Sequence, residues 1–166
     1  AISALARVRK KLPRASLWLI GEGPDDAALR AHAAAEGVAD AVHWLGLRRD
    51  VHGLLCAFDG YVHPALAEGL GIAVLEAMAA GLPTIASSVD GIPEFVRHED
   101  TGWLVPAGDA EALGRRMAEV AAGCGTREVA ARGQELVIRE YDIRGSVGAY
   151  EQLYRDLVAR RRARRG

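Results

Sequence analysis

The sequence predicts an α/β fold: a Rossmann-like parallel sheet with helices on both faces and a helical C-terminal end. Short apolar runs at 16–20, 41–46, 59–63, 83–87 and 102–106 alternate with stretches of helical spacing. These runs are apolar on both sides instead of alternating, the mark of strands covered on both faces. From Asp109 onward the pattern turns wholly helical. Strands alternating with helices, followed by a helical end, indicate a parallel open sheet.

Taken in order, Ile2, Leu5, Val8 and Leu12 repeat at helical spacing from the first residues, with no Ser, Thr or Asp ahead of them to cap the helix. Pro13 ends that pattern, and the strand at 16–20 runs into Gly21-Glu22-Gly23-Pro24. Asp25 and Asp26 are placed to cap the next helix, which Gly37 stops. The strand at 41–46 leads through Leu47-Arg48-Arg49-Asp50 into a short helix near 51–57. After the strand at 59–63 comes a glycine turn, then a helix opening near Gly71 and closing at Gly81. Ile92-Pro93-Glu94 reads as one helical turn. Asp109 is a plausible N-cap for the first terminal helix, the second spans about 127–140, and the third carries Val147, Tyr150, Leu153, Tyr154 and Leu157. Trp18, Trp44 and Trp103 all fall in strand segments and read as packing residues.

At 166 residues with 50% apolar content the chain fits one domain with a sizeable core. A net charge of −1 gives no global field for nucleic acid. Cys56 and Cys124 form no disulfide framework, no apolar run reaches membrane-spanning length and no signal peptide opens the chain. These features suit the cytoplasm. Five of the last seven residues, 160–166, are arginine; the tail 159–166 reads first as a frayed, solvated helix end, and secondly as a contact with anionic lipid on a membrane's inner face.

The chemistry concentrates at Glu68-Gly69-Leu70-Gly71-Ile72-Ala73-Val74-Leu75-Glu76. Gly69 and Gly71 permit positive φ or close approach to a ligand. The helix start directs unpaired N–H groups and a positive dipole end at whatever lies above the turn, which outlines a phosphate site. Ionised Glu accepts hydroxyl donors, so two carboxylates beside a phosphate cradle suit a ligand that carries a ribose diol or a sugar. In parallel sheets ligands bind at the carboxyl ends of the strands. The loops 21–25, 46–50 and 64–71 all fall there and are expected to converge on one crevice. Arg48 and Arg49 can be solvated loop charges, Gly21 and Gly23 a simple strand-ending turn, and His63 a hydrogen-bonded structural histidine beside the site. His98-Glu99-Asp100 lacks metal-ligand spacing, and no metal site is read.

The ordered blocks Gly21-x-Gly23-Pro24, Gly46, Pro64-x-x-x-Glu68-Gly69-x-Gly71-x-x-x-x-Glu76-Ala77-Met78-Ala79-x-Gly81-x-Pro83, Gly91-Ile92-Pro93-Glu94 and Thr101-Gly102-x-Leu104-Val105 resemble a known family. It is the donor-binding half of the retaining group 1 (family 4) glycosyltransferases of GT-B fold, and the match covers about 13–158. The resemblance implies that Glu76 accepts the ribose hydroxyls of a UDP-, GDP- or ADP-sugar and that Glu68 holds the donor sugar as the catalytic-site carboxylate. It also implies that backbone N–H groups of Gly69, Leu70, Gly71, Ile72 and Ala73 cradle sugar and distal phosphate. Gly21 would border the site and the loop at Arg48 would lie against the base. The transfer implied is metal-independent, retains anomeric configuration, and uses a sugar or lipid-linked acceptor bound by an N-terminal domain.

Two departures stand out. Asp90-Gly91 replaces the family's frequent Gly-Gly pair. The family's Gly-Arg strand end and following Lys, which belong before the opening helix, have no counterpart; residues 1–166 are thus expected to be a single donor-binding domain, truncated at its N-terminus and inactive alone. In the usual strand order the first strand is central, so the strands at Leu17 and Tyr61 should flank an interruption. The rival readings are a stand-alone nucleotide-sugar-binding module and a sugar epimerase or phosphorylase on the same fold.

Overall fold

The computed structural model describes residues 1–123 and 125–163. The chain runs α1 (Ile2–Arg9), β1 (Leu17–Ile20), α2 (Asp26–Ala35), β2 (Val42–Gly46), α3 (Val51–Leu55), β3 (Tyr61–His63), α4 (Ile72–Ala79), β4 (Thr84–Ser87), β5 (Trp103–Val105), α5 (Ala110–Ala121), α6 (Thr126–Glu140) and α7 (Ile143–Ala163), with single 3-10 turns at Ala39–Ala41 and Ile92–Glu94. All strand pairings are parallel, as the two-sidedly apolar runs predict. No described helix is long and apolar enough to cross a membrane.

The sheet is divided. Among the described residues β1 pairs with β2 alone, and β3, β4 and β5 form a separate three-stranded sheet in that order. Strands at Leu17 and Tyr61 therefore flank an interruption, in agreement with the expectation from strand order. Burial follows the division: all four residues of β4 are buried, whereas those of β3 are only half-buried.

Helix α1 ties the two sheets together. Its Ile2 and Leu5 pack with Leu17, Val38 and Val42, while Ala4, on the other side, joins Ile85, Trp103, Val105 and Leu113. Val62 of β3 touches both clusters. The helix comes close to α5, where a Cβ added at Gly114 would stand 3.2 Å from the Ala4 carbonyl oxygen. A third cluster, Val74, Met78, Ile92, Phe95, Val96, Leu136 and Val137, fixes α4 between β4 and α6. The Gln134 side-chain amide donates to the Ala79 carbonyl at 2.8 Å, closing the C-terminal end of α4.

Several expectations need correction. Asp25 precedes α2 but its side chain makes no capping bond; Asp26 instead pairs with Arg30 at 2.8 Å, the i,i+4 geometry that a helix surface offers. Trp18 is not a core residue: it is 44% exposed and stacks on His43 at 4.1 Å between centroids, because it lies on an uncovered face of the two-stranded sheet. Trp44 is half-buried under the Arg30 guanidinium, and only Trp103 is buried. Helix α7 runs from Ile143 to Ala163, with Glu151–Arg155 and Gln152–Asp156 pairs along its middle. Cys124, Arg164 and Arg165 lie outside the described residues.

Asp109 caps α5 as its position suggests, one carboxylate oxygen accepting from the N–H groups of Glu111 (3.0 Å) and Ala112 (2.8 Å). Asp109→Ala should lower stability by about 1 kcal/mol. A urea midpoint shift with unchanged slope would measure it, and no shift would mean that the cap is redundant.

Candidate functional site

Helix α4 begins at Gly71, whose φ of 76° is the left-handed conformation that glycine adopts without strain. A side chain there is also excluded sterically, since a Cβ would stand 2.5 Å from the Ile92 Cδ1. The Gly71 carbonyl accepts from the N–H groups of Val74 and Leu75. Among the described residues nothing accepts from the N–H groups of Gly69, Leu70, Gly71, Ile72 and Ala73. A row of unpaired amides thus stands at the positive end of the helix, as an anion site requires.

The two carboxylates border this row. Glu76 is on α4, exposed, its carboxylate without a hydrogen bond or ion pair among the described residues. Glu68 is half-buried, and its Oε2 lies 3.0 Å from the His63 Nε2. Behind it, the Tyr61 hydroxyl is 3.2 Å from the His63 Nδ1. Tyr61 and His63 meet because alternate residues of a strand share a face. Burial, then Glu76, then Glu68 push the Tyr61 hydroxyl up to about 12. One phenol therefore feels both carboxylates, and it stays protonated across the physiological range.

The segment 88–92 holds the glycine loop from below. The Glu68 N–H donates to Asp90 Oδ2 at 2.7 Å. Gly91 passes so near that a Cβ would stand 2.7 Å from the Gly69 carbonyl oxygen. Asp90 itself has φ of 43°, a left-handed conformation tolerated by Asp more readily than by most residues. Its side chain satisfies the amide of Glu68. The replacement of glycine at 90 was visible in the sequence; its partner 22 residues away was not.

The expected convergence of three loops is met in part. The first two meet: the Gly21 N–H donates to the Gly46 carbonyl at 2.8 Å, and the Glu22 carboxylate accepts from the Leu47 N–H at 3.3 Å. The third is bonded to 88–91, across the divided sheet. Arg48 forms a two-bond ion pair with Asp50 at 2.8 and 2.6 Å on the exposed loop. That pair raises the guanidinium's pKa and lowers the carboxyl's. Leu47, Leu66, Leu70 and Ile72, all exposed, form apolar points around these loops. A small hollow of about 100 Å³ lies beside them, between Pro64, Ser87, Val105 and Asp109, but neither Glu68 nor Glu76 lines it.

Residues 1–123 match the family model described as glycosyl transferases group 1. The chain belongs to that family. Among the relatives of this group 1 glycosyltransferase domain is the lipopolysaccharide core biosynthesis glycosyltransferase LpsE of Rhizobium meliloti, 33% identical over 92% of this chain and 44% of that protein. The chain spans less than half the length of the curated relatives it matches. Of the solved structures, Anabaena HepE in complex with UDP-glucose superposes with a TM-score of 0.79 and 26% identity, over 95% of this chain and 44% of that one. The C-terminal domain of a group 1 protein from Francisella tularensis, LpcC, gives 0.77 at 24% identity, over 86% and 77% of the two chains. The fold is thus that of the C-terminal half of a GT-B glycosyltransferase.

Proposed function

We propose that this domain binds the sugar-nucleotide donor of a retaining, metal-independent hexosyltransferase. The observation that carries this reading is the row of unpaired amides from Gly69 to Ala73 between the carboxylates of Glu68 and Glu76. Amides and helix dipole receive the distal phosphate and stabilise the charge that grows on it as the nucleoside diphosphate departs. Glu76 accepts ribose hydroxyls and Glu68 accepts hydroxyls of the hexose. Gly21 and the 46–50 loop, including the backbone at Arg48, border the nucleotide from the other sheet. The presence of UDP-glucose in the HepE structure supports this assignment.

On this reading the acceptor, a growing saccharide or a lipid-linked sugar in the cytoplasm, is bound by a further domain that precedes residue 1. The domain alone binds donor without turning it over. Calorimetry of this chain against UDP, GDP and ADP tests the reading directly. One of the three should bind and rank above the others; absence of binding by all three would refute it. The epimerase alternative is not favoured by any side chain at the site.

A further inference from the structure

The side chain of Glu68 is anchored from behind, and the anchor determines which of its oxygens is free. An ionised carboxylate only accepts, so the 3.0 Å contact with His63 has Nε2–H as donor and Glu68 Oε2 as acceptor. In the neutral ring Nδ1 is then the acceptor, and it takes the Tyr61 O–H at 3.2 Å. The chain of donation runs one way, from Tyr61 to His63 to Glu68. Meanwhile Asp90 holds the Glu68 backbone N–H. Main chain and side chain of Glu68 are therefore fixed by different partners on different elements.

We propose that His63 is a positioning residue for the donor sugar: it holds Glu68 Oε2 and thereby leaves Oε1 to accept a hydroxyl of the hexose. This rests on the donor-binding reading above and gives it a finer division of labour. Glu76 and the amide row serve the nucleotide, and the Tyr61–His63–Glu68 chain serves the sugar alone. A histidine that merely stabilised the loop would affect both parts of the ligand, because the same loop carries the amides. A carboxylate free to rotate loses orientation toward the sugar, whereas the amides, held by Gly71 and Asp90, keep theirs.

The test pairs each nucleotide with its sugar: UDP with UDP-glucose, GDP with GDP-mannose and ADP with ADP-glucose, titrated by calorimetry into this chain. In the pair that binds, His63→Ala should weaken the sugar nucleotide about tenfold and leave the bare nucleotide within about twofold. His63→Gln, whose amide can donate from nearly the same place as Nε2, should recover most of the loss. His63→Phe keeps a ring beneath the loop but donates nothing, so it should repeat the selective loss and guards against a misfolded alanine variant. Equal losses for both ligands, no loss, or failure of His63→Gln to recover would overturn the positioning role while leaving the donor-binding reading intact. If the unaltered chain binds none of the nucleotides, both fall.

Discussion

Glu76→Ala is expected to weaken nucleotide binding by about 1.5–3 kcal/mol, an effect of at least tenfold on the dissociation constant. The size follows from the charge: hydrogen bonds to an ionised group are worth more than neutral ones, and a ribose diol can supply two donors to one carboxylate. The substitution should leave the fold untouched. Glu76 is exposed, its side chain makes no bond within the described chain, and alanine is the best helix former at this position on α4. A weaker complex at an unchanged melting temperature is thus the expected pair of results. Unchanged affinity would remove Glu76 from the site.

Phe95→Ala is expected to destabilise the domain by about 3–5 kcal/mol. Phe95 has no exposed surface and is the largest of the fully buried side chains. It touches the cluster that fixes α4 to α6, with the Tyr141 ring edge-on at 5.6 Å and 66°. Collapse around the lost ring is resisted on several sides, because Met78, Leu136 and Val137 come from two helices already held by other contacts. The expected reading is a large drop in urea midpoint with the slope preserved. A loss below about 1 kcal/mol would mean that the cluster closes over the gap. The same residue lies in the segment whose earlier part, Asp90 to Ile92, supports the glycine loop, so a folded fraction of this variant should also bind donor less well.

Helix α4 was legible in the sequence because two glycines that must adopt positive φ, Gly71 and Gly81, mark its ends. The interrupted sheet was legible too, since the family resemblance, with the usual strand order, places a missing first strand between those at Leu17 and Tyr61. Other features depend on partners distant in sequence. Nothing near Asp90 indicates that its carboxylate would take the Glu68 amide, and nothing in the apolar run around Trp18 indicates that one face would be uncovered. Helix α7 shows both sides of this. Its spacing identifies a helix, yet Ile143, Val147, Tyr150, Tyr154 and Leu157 all remain exposed, and periodicity cannot say what should cover them. Among the site residues, the placement of Glu68 and Glu76 on either side of a helix start was readable from their spacing, while the Tyr61–His63–Glu68 contacts required the strand's facing geometry.

A continuous sheet of five strands has two margins; the five described strands have four. Besides the outer sides of β2 and β5, the inner sides of β1 and β3 offer backbone donors and acceptors that no described strand takes up. Such margins are templates on which another extended chain can add itself, and they are where association between molecules begins. Here the two inner ones are short, four residues in β1 and three in β3, and α1 spans the sheets that carry them. Brevity limits how firmly a foreign strand can hold at either of them.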